Sequence, residues 1–98
     1  MLVRATPEYR EWFASLPEHL RLLVRDRLDR IREEDYFGDA KSLGDGLFEL
    51  RWRNGTRVYF THSRIESGRL AILLLGGDKH GQNRDIGKAR NILAREIS

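Results

Sequence analysis

The sequence predicts an α+β fold, in which an N-terminal helical hairpin packs on one face of a small twisted antiparallel sheet of about four strands, with a C-terminal helix. Apolar residues recur at helical spacing over 17–34 and again over 82–97. Strand-like alternation flanks an Asn-Gly pair at 54–55, the strongest short-range signal for a hairpin. The 98 residues include no linker long enough to separate two domains, so we expect one domain over 1–98.

The two N-terminal helices are predicted from their boundary residues. Thr6 followed by Pro7 is typical of a helix N-cap and first helical position, so a first helix is expected over 7–15. Pro17 ends that helix and begins the second one, over 17–34. The apolar stripe of the second helix consists of Leu20, Leu23, Val24, Leu28 and Ile31.

The polar face of the second helix mixes arginines with aspartates and has two interpretations. It could bind nucleic acid as a basic helix, or it could be a solvated face on which opposite charges pair along the helix. Pairs such as Asp26–Arg30 and Arg25–Asp29 have the spacing for mutual stabilisation. Because the acids interleave with the bases, their fields largely cancel, which favours the solvated face.

The middle of the chain is predicted to be strands and turns. The expected strands are a short edge strand at 1–4 and the segments Ala40–Leu43, Leu47–Arg53, Thr56–Ser63 and Arg69–Leu75. The continuous apolar character of the last segment fits a central strand that is covered on both faces. We expect Gly76 or Gly77 to turn the chain towards the last helix in a backbone conformation that other residues avoid.

The hairpin has an apolar side and an arginine-bearing side, because successive strand residues point in opposite directions. The apolar side carries Phe48, Leu50, Trp52, Val58 and Phe60. The other side carries Glu49, Arg51, Arg53, Arg57 and Tyr59. A two-residue turn at Asn54-Gly55 would pair Arg51 with Val58 and break this pattern by one residue. We therefore expect a bulge or a three-residue turn, because exposing the apolar side would be costly.

The charge of the chain is uneven. The net charge is +3, yet residues 1–35 carry seven arginines and eight acids, whereas residues 36–98 carry eleven lysines or arginines and seven acids. This basic excess suggests an anionic partner such as nucleic acid. Arg51, Arg57 and Tyr59 are expected to form a patch on an open sheet face, where arginine grips phosphate and tyrosine stacks on a base. The alternative is a sheet edge that its charges protect against aggregation.

Other site chemistries find no support in the sequence. Without cysteine, neither a disulfide framework nor a thiolate metal site can form. The glycine run at 76–81 lacks the spacing and the hydroxyl of a phosphate-binding loop. Among the histidines, His62 is expected in the core and His19 on the surface, and His80 is the one suited to chemistry. No cofactor, metal or membrane partner is expected, and we expect a cytoplasmic protein because the apolar runs are too short to span a bilayer.

Four stretches of sequence carry a resemblance to a known family. They are TPEYREW at 6–12, GDAKSLGDGLFELR at 38–51, GTRVYF at 55–60 and LLLGGDKHGQNRDIGKA at 73–89. Together and in this order they cover nearly the whole chain, and they resemble the RelE/ParE toxin superfamily of bacterial toxin–antitoxin modules. The chain is most similar to the HigB-like branch, the addiction module killer proteins.

The resemblance implies the toxin of a type II module, an endoribonuclease that cleaves mRNA on the ribosome. Its implied partners are the ribosome, mRNA and a helix-turn-helix, HigA-like antitoxin, through which the complex would bind operator DNA. The expected catalytic residues, carried over by motif or added for their chemistry, are Arg51, Arg57, Lys79 and His80. The expected RNA-binding residues are Lys41, Arg53, Tyr59 and Arg84.

The expected reaction is attack of a ribose 2′-hydroxyl on the adjacent phosphate, which needs no metal because the nucleophile is already held beside phosphorus. His80 or Glu49 would be the general base, and Lys79 would stabilise charge or protonate the leaving oxygen. The chain departs from RelE at Glu49, where RelE has a lysine, and at Asp85–Ile86, where some relatives have a tyrosine. One rival function is a ParE-like gyrase inhibitor, against which the presence of Arg51, Arg57 and Lys79 favours the nuclease. The other is a non-catalytic domain whose basic face only docks a partner.

Overall fold

The α+β prediction is confirmed by a computed structural model that describes residues 1–98. The elements are β1 (Leu2–Ala5), α1 (Pro7–Ser15), α2 (Glu18–Glu34), β2 (Ala40–Gly44), β3 (Leu47–Arg51), β4 (Thr56–Ile65), β5 (Gly68–Asp78), a 3₁₀ turn (Lys79–Gly81) and α3 (Gln82–Ile97). Thr6 caps α1 as predicted, since its hydroxyl accepts a hydrogen bond from the Tyr9 amide at 3.1 Å. None of the three helices combines the length and apolarity needed to cross a membrane.

The sheet has five strands in the order β1-β5-β4-β3-β2 and is mixed, not antiparallel. The N-terminal strand β1 pairs in parallel with β5, from Leu2 opposite Leu70 to Ala5 opposite Leu73. A parallel pair requires a long connection between its strands, and here the connection is most of the chain. The edge strand was predicted over 1–4, but its parallel pairing was not, because a four-residue strand does not reveal its partner's direction.

The helices cover both faces of the sheet, which corrects the prediction of one covered face. On one face, α1 and α2 pack on the even-numbered residues of β3 and β4, including Leu50, Val58 and Phe60. On the other face, α3 packs with Ala89, Ile92 and Leu93 against residues that include Leu47 and Tyr59. Strand β5 contributes Ala71 and Leu73 to the first core and Ile72 and Leu74 to the second. Its continuous apolar run is explained by this double coverage, as predicted.

The β3–β4 connection is the predicted three-residue turn. The Trp52 amide donates to the Thr56 carbonyl at 3.1 Å, and the Gly55 amide donates to the Trp52 carbonyl at 3.1 Å. Gly55 has a φ of +98°, a value that glycine adopts without strain. Arg51 consequently pairs with Arg57 across the ladder, so the alternation inferred from the apolar residues is preserved.

Close packing is the reason for glycine at positions 76 and 77. Neither residue has a positive φ, and β5 runs straight through both. A Cβ added to Gly76 would lie 2.1 Å from the Trp12 indole, and one added to Gly77 would lie 2.2 Å from Oδ2 of Asp85. The prediction of a special backbone conformation was wrong. Two side chains from distant helices approach this strand instead, which no local pattern shows.

Candidate functional site

The candidate site lies where the β3–β4 turn meets the segment between β5 and α3. The Lys79 amide donates to the Gly55 carbonyl at 2.9 Å, which joins this segment to the turn. The aliphatic part of the Lys79 side chain lies against Gly55, where an added Cβ would be 3.3 Å from it. A side chain at position 55 would therefore crowd Lys79, in addition to straining the turn.

Arg57 is anchored in this site by its own backbone surroundings. The side chain is 14% exposed, and its Nη1 donates to the carbonyls of Trp52 at 3.2 Å and Thr56 at 2.9 Å. Its Nε is buried and has no hydrogen-bond partner, whereas Nη2 is neither bonded nor buried. One edge of the guanidinium is thus fixed to the protein, and one nitrogen remains available to an anion.

Glu49 is the buried neighbour of Arg57. Its side chain is fully buried, and Oε2 accepts a hydrogen bond from Nε2 of Gln82 in α3 at 2.7 Å. Its Oε1 lies 3.7 Å from Nε of Arg57, too far for a hydrogen bond, and neither atom has another partner. This incompletely satisfied buried ion pair is costly for folding, so we assign it a role in holding Arg57.

Tyr59 lies beneath α3 and not on an open face. It pairs with Glu49 across β3 and β4, it is completely buried, and its hydroxyl has no partner. Burial, followed by the nearby charge of Glu49, raises the pKa of Tyr59 above its ordinary value. The predictions that Tyr59 stacks on RNA and that this sheet face is open are therefore corrected, because α3 shields the apolar part of the same face.

Three other predicted basic residues are more accessible. Arg51 faces the same side as Arg57, with its side chain 39% exposed and its Nε 3.6 Å from Oδ2 of Asp39. Arg53 is exposed in the turn, and Lys41 is exposed on β2, where it pairs in register with Glu49. The structure therefore brings Arg51, Arg53 and Arg57 together at one end of β3 and β4, with Lys41 in the adjoining row.

The 3₁₀ turn and the start of α3 add a second group of basic side chains. Oδ1 of Asp78 accepts hydrogen bonds from the amides of His80 at 2.8 Å and Gly81 at 3.3 Å, which fixes the turn. Lys79, His80 and Arg84 are exposed and line an open cavity of about 380 Å³. The predicted residues thus fall into two basic groups, which the β3–β4 turn separates.

His62 faces the same side as Phe60, as predicted, but it is half-buried and belongs to neither buried core. Its ring lies 4.6 Å from the ring of Phe48 and 5.0 Å from that of Phe37. Nη2 of Arg69 is 3.1 Å from its Nδ1. Burial, and secondly the Arg69 charge, lower the pKa of His62. His19 is exposed on α2, also as predicted.

Arg27 is a site residue that the sequence interpretation placed on a solvated face. Its guanidinium stacks on Trp52, 4.4 Å from the ring centroid, and its Nη1 donates to the Arg51 carbonyl at 2.8 Å. Burial lowers the pKa of Arg27. The available signal was its spacing, because Arg27 lies four residues after Leu23 and four before Ile31, at the border of the apolar stripe.

A relative supports the placement of the whole chain in one family. An uncharacterized protein of Haemophilus influenzae is 35% identical over 96 residues, which cover 97% of this chain and 94% of the relative. The chain belongs to the family of this protein. No protein-family model matches the sequence.

Solved structures with the same fold are RelE toxins and their complexes. A double mutant of E. coli toxin RelE in the free state has a TM-score of 0.69 at 12% identity, covering 99% of this chain and 97% of that chain. The intact E. coli RelBE toxin–antitoxin complex has a TM-score of 0.63 at 14% identity, covering 79% of this chain and 94% of that chain. The RelBE2 toxin–antitoxin complex of Mycobacterium tuberculosis has a TM-score of 0.60 at 22% identity, covering 79% of this chain and 95% of that chain. This member of the H. influenzae family therefore has a RelE-like fold.

Proposed function

We propose that the chain is the toxin of a type II toxin–antitoxin module, of the HigB-like branch, and that it cleaves mRNA on the ribosome. The observation that carries the proposal is the anchored guanidinium of Arg57, which keeps Nη2 available beside Arg51 and the Lys79 turn. The RelE-like fold and the sequence motifs support the same function. A ParE-like gyrase inhibitor has no use for this basic set, whereas a domain that only docks a partner could use it for binding.

The proposed reaction is an intramolecular phosphoryl transfer. The ribose 2′-oxygen forms a bond to the adjacent phosphorus as the bond to the 5′-oxygen breaks, which leaves a cyclic phosphate and a 5′-hydroxyl. The nucleophile is already positioned, so the protein has to orient the phosphate and stabilise its added charge. Arg57 through Nη2, together with Arg51, provides planar charge-assisted donors for that purpose.

Proton transfer is assigned to the 3₁₀ turn. The exposed imidazole of His80 takes the proton from the 2′-hydroxyl, and the Lys79 ammonium donates one to the leaving 5′-oxygen. Glu49 is not suited to be the base, because its fully buried carboxylate accepts a hydrogen bond from Gln82 and lies beside Arg57. Lys41, Arg53 and Arg84 are exposed and bind the flanking phosphates.

The partners of the proposed toxin follow from the same assignment. A helix-turn-helix, HigA-like antitoxin neutralises it in the cytoplasm, and the complex of the two binds operator DNA. The matching RelBE and RelBE2 structures are themselves toxin–antitoxin complexes. If this pairing is correct, expression of this chain alone should arrest growth. The product of the neighbouring gene should then rescue growth.

The test combines purified protein, translating ribosomes and a defined mRNA. Wild-type protein should cut the mRNA, and Arg57→Lys should lower the cleavage rate by about 100-fold, as loss of one transition-state donor does. Lysine keeps a positive charge beside Glu49 but removes the planar fork. The matched control is Arg64→Lys, because Arg64 is exposed on the far part of β4.

Each alternative function predicts a different result in this assay. Absence of cleavage together with inhibition of DNA gyrase would indicate the ParE-like function. Absence of both activities would indicate a domain that only binds a partner. Full activity of Arg57→Lys would show that Arg57 is not a catalytic residue, even if the protein cleaves mRNA.

A further inference from the structure

A second cavity lies across the β3–β4 turn from Lys79 and His80. It has a volume of about 550 Å³, within the range of small-ligand sites. Its lining residues are Leu23, Arg27, Asp39, Arg51, Trp52, Arg53 and Asn54. Three arginines against one aspartate give this cavity a net positive lining, which suits an anionic ligand.

Arg27 and Trp52 form a flat stack in this cavity. The guanidinium lies 4.4 Å from the indole centroid and is held in place by its 2.8 Å hydrogen bond to the Arg51 carbonyl. Both side chains are partly exposed. Aromatic rings and guanidinium planes are the surfaces on which proteins stack unpaired nucleobases.

The stack is close to the proposed catalytic arginine. Arg27 donates to the carbonyl of residue 51, and Arg57 donates to the carbonyl of the next residue, Trp52. Arg51, which lines the cavity, pairs directly with Arg57 across β3 and β4, so the cavity borders Arg57. A ligand that contacts Arg57 can therefore reach the stack through its neighbouring group.

We infer that this cavity binds a nucleobase of single-stranded RNA next to the phosphate held by Arg57, with the base on the Arg27–Trp52 stack and neighbouring phosphates on Arg51 and Arg53. This inference rests on the proposed function and names a specificity-determining subsite for it. A purely structural role for Arg27 would tie α2 to β3 without any effect on RNA.

Direct binding tests the inference without requiring cleavage. Homopolymeric RNA trinucleotides of A, C, G and U are titrated into the isolated protein while its tryptophan fluorescence is followed. At least one should quench the signal, and Trp52→Phe should abolish the quenching, which excludes Trp12 as its source. Arg27→Ala should weaken binding about 10-fold, in line with the loss of one stacking partner.

Two further variants separate stacking from charge and from folding. Arg30→Ala removes the same charge from an exposed position of α2 and should leave the affinity unchanged apart from a small general effect. Arg27→Lys keeps the charge without the plane and should weaken binding nearly as much as Arg27→Ala. Urea denaturation of each variant shows whether the compared proteins are equally folded.

The ribosome assay supplies the second readout. Sequencing the ends of cleaved mRNA should show a base preference beside the cut that Arg27→Ala flattens and Arg30→Ala preserves. The inference is overturned if no trinucleotide quenches Trp52, or if Arg27→Ala and Arg30→Ala bind RNA and select sites alike. It is also overturned if Arg27→Ala weakens only antitoxin binding. RNA binding at Trp52 without cleavage would instead refute the nuclease and leave the subsite standing.

Discussion

The two faces of the sheet differ in what they bury. The face under α1 and α2 holds a core of apolar side chains that extends from Tyr9 to Leu73. The face under α3 is apolar only in part, and where α3 begins it encloses Glu49, Arg57 and Tyr59. Of the five buried side-chain atoms without a hydrogen-bond partner, only the Tyr9 hydroxyl belongs to the first face.

This difference separates stability from function. Buried polar groups without partners cost folding free energy, so a sequence selected for stability alone would not retain several of them in one place. We therefore expect the first face to stabilise the fold and the second face to give up stability in order to hold Arg57 in one position. Four predictions test this contrast, beginning with the largest effect.

Truncation of a large side chain on the first face should cause the largest loss of unfolding free energy. Phe60→Ala removes a ring that is 1% exposed and lies 4.9 Å from the ring of Phe37, so we expect a loss of about 4 kcal/mol in unfolding free energy. Urea denaturation measures it. Tyr36→Ala, at an aromatic that is 63% exposed, is the control and should change little. A loss as small as the control's would mean that this core does not carry the fold.

Removal of the Arg57 side chain should lower the unfolding free energy somewhat less than Phe60→Ala does, and the reason is electrostatic. Arg57→Ala leaves the buried carboxylate of Glu49 without a counter-charge, and we expect a loss of about 3 kcal/mol. Adding Glu49→Gln should restore most of this stability, because the amide is neutral, while mRNA cleavage stays lost. Glu49→Gln alone should lower cleavage at saturating ribosomes and lower stability less than Arg57→Ala, because Arg57 keeps its two carbonyl partners. Glu66→Gln at an exposed site should change neither property.

This double-mutant cycle also has a clear contrary result. If Glu49→Gln destabilised the protein as strongly as Arg57→Ala, the pair would be a structural ion pair. If Glu49→Gln left cleavage unchanged, Glu49 would not position Arg57.

Loss of a partnerless hydroxyl should have a smaller effect with the opposite sign. Tyr59→Phe keeps the ring under α3 and removes an unsatisfied buried group, so we expect a gain of about 1 kcal/mol. Tyr9→Phe makes the same change on the first face and is the matched comparison. Thermal denaturation of both variants, with cleavage assays, checks the prediction; a loss of stability in Tyr59→Phe would reveal a hydrogen bond to that hydroxyl.

The smallest expected effect is a pH dependence on the first face. The pKa of His62 is lowered below its ordinary value of 6.5, so the unfolded chain takes up a proton before the folded chain does. His62 therefore favours folding fully above pH 6.5 and loses this contribution as the pH falls from 6.5 through its lowered pKa in the folded chain. The stability difference between pH 7.5 and pH 5 should shrink in His62→Gln, and an unchanged difference in urea titrations would contradict it.

The sequence interpretation succeeded where neighbours along the chain decide the structure. The Thr6 cap, the bounds of the helices and the three-residue turn follow from local chemistry and from the alternation of the hairpin. Arg51 and Arg57 fall on one face because the strand period is two residues. Each of these features depends only on residues that are close to one another in the sequence.

The interpretation failed where distant segments meet. The residue pattern of α3 shows an apolar side, yet it does not state which face of the sheet that side covers, so Tyr59 was expected in the open. Gly76, Gly77 and Arg27 were misread for the same reason, since Trp12, Asp85 and Trp52 reach them from other elements.

Local periodicity and boundary residues thus determined by themselves which elements form, how the hairpin is registered and which side chains share a face. Only the tertiary structure decided that Glu49 is sealed beneath α3, that Arg57 retains one accessible nitrogen and that Arg27 stacks on Trp52. The physical reason is that strand and helix periods act over a few residues, whereas burial and charge pairing depend on which distant surfaces exclude water from one another.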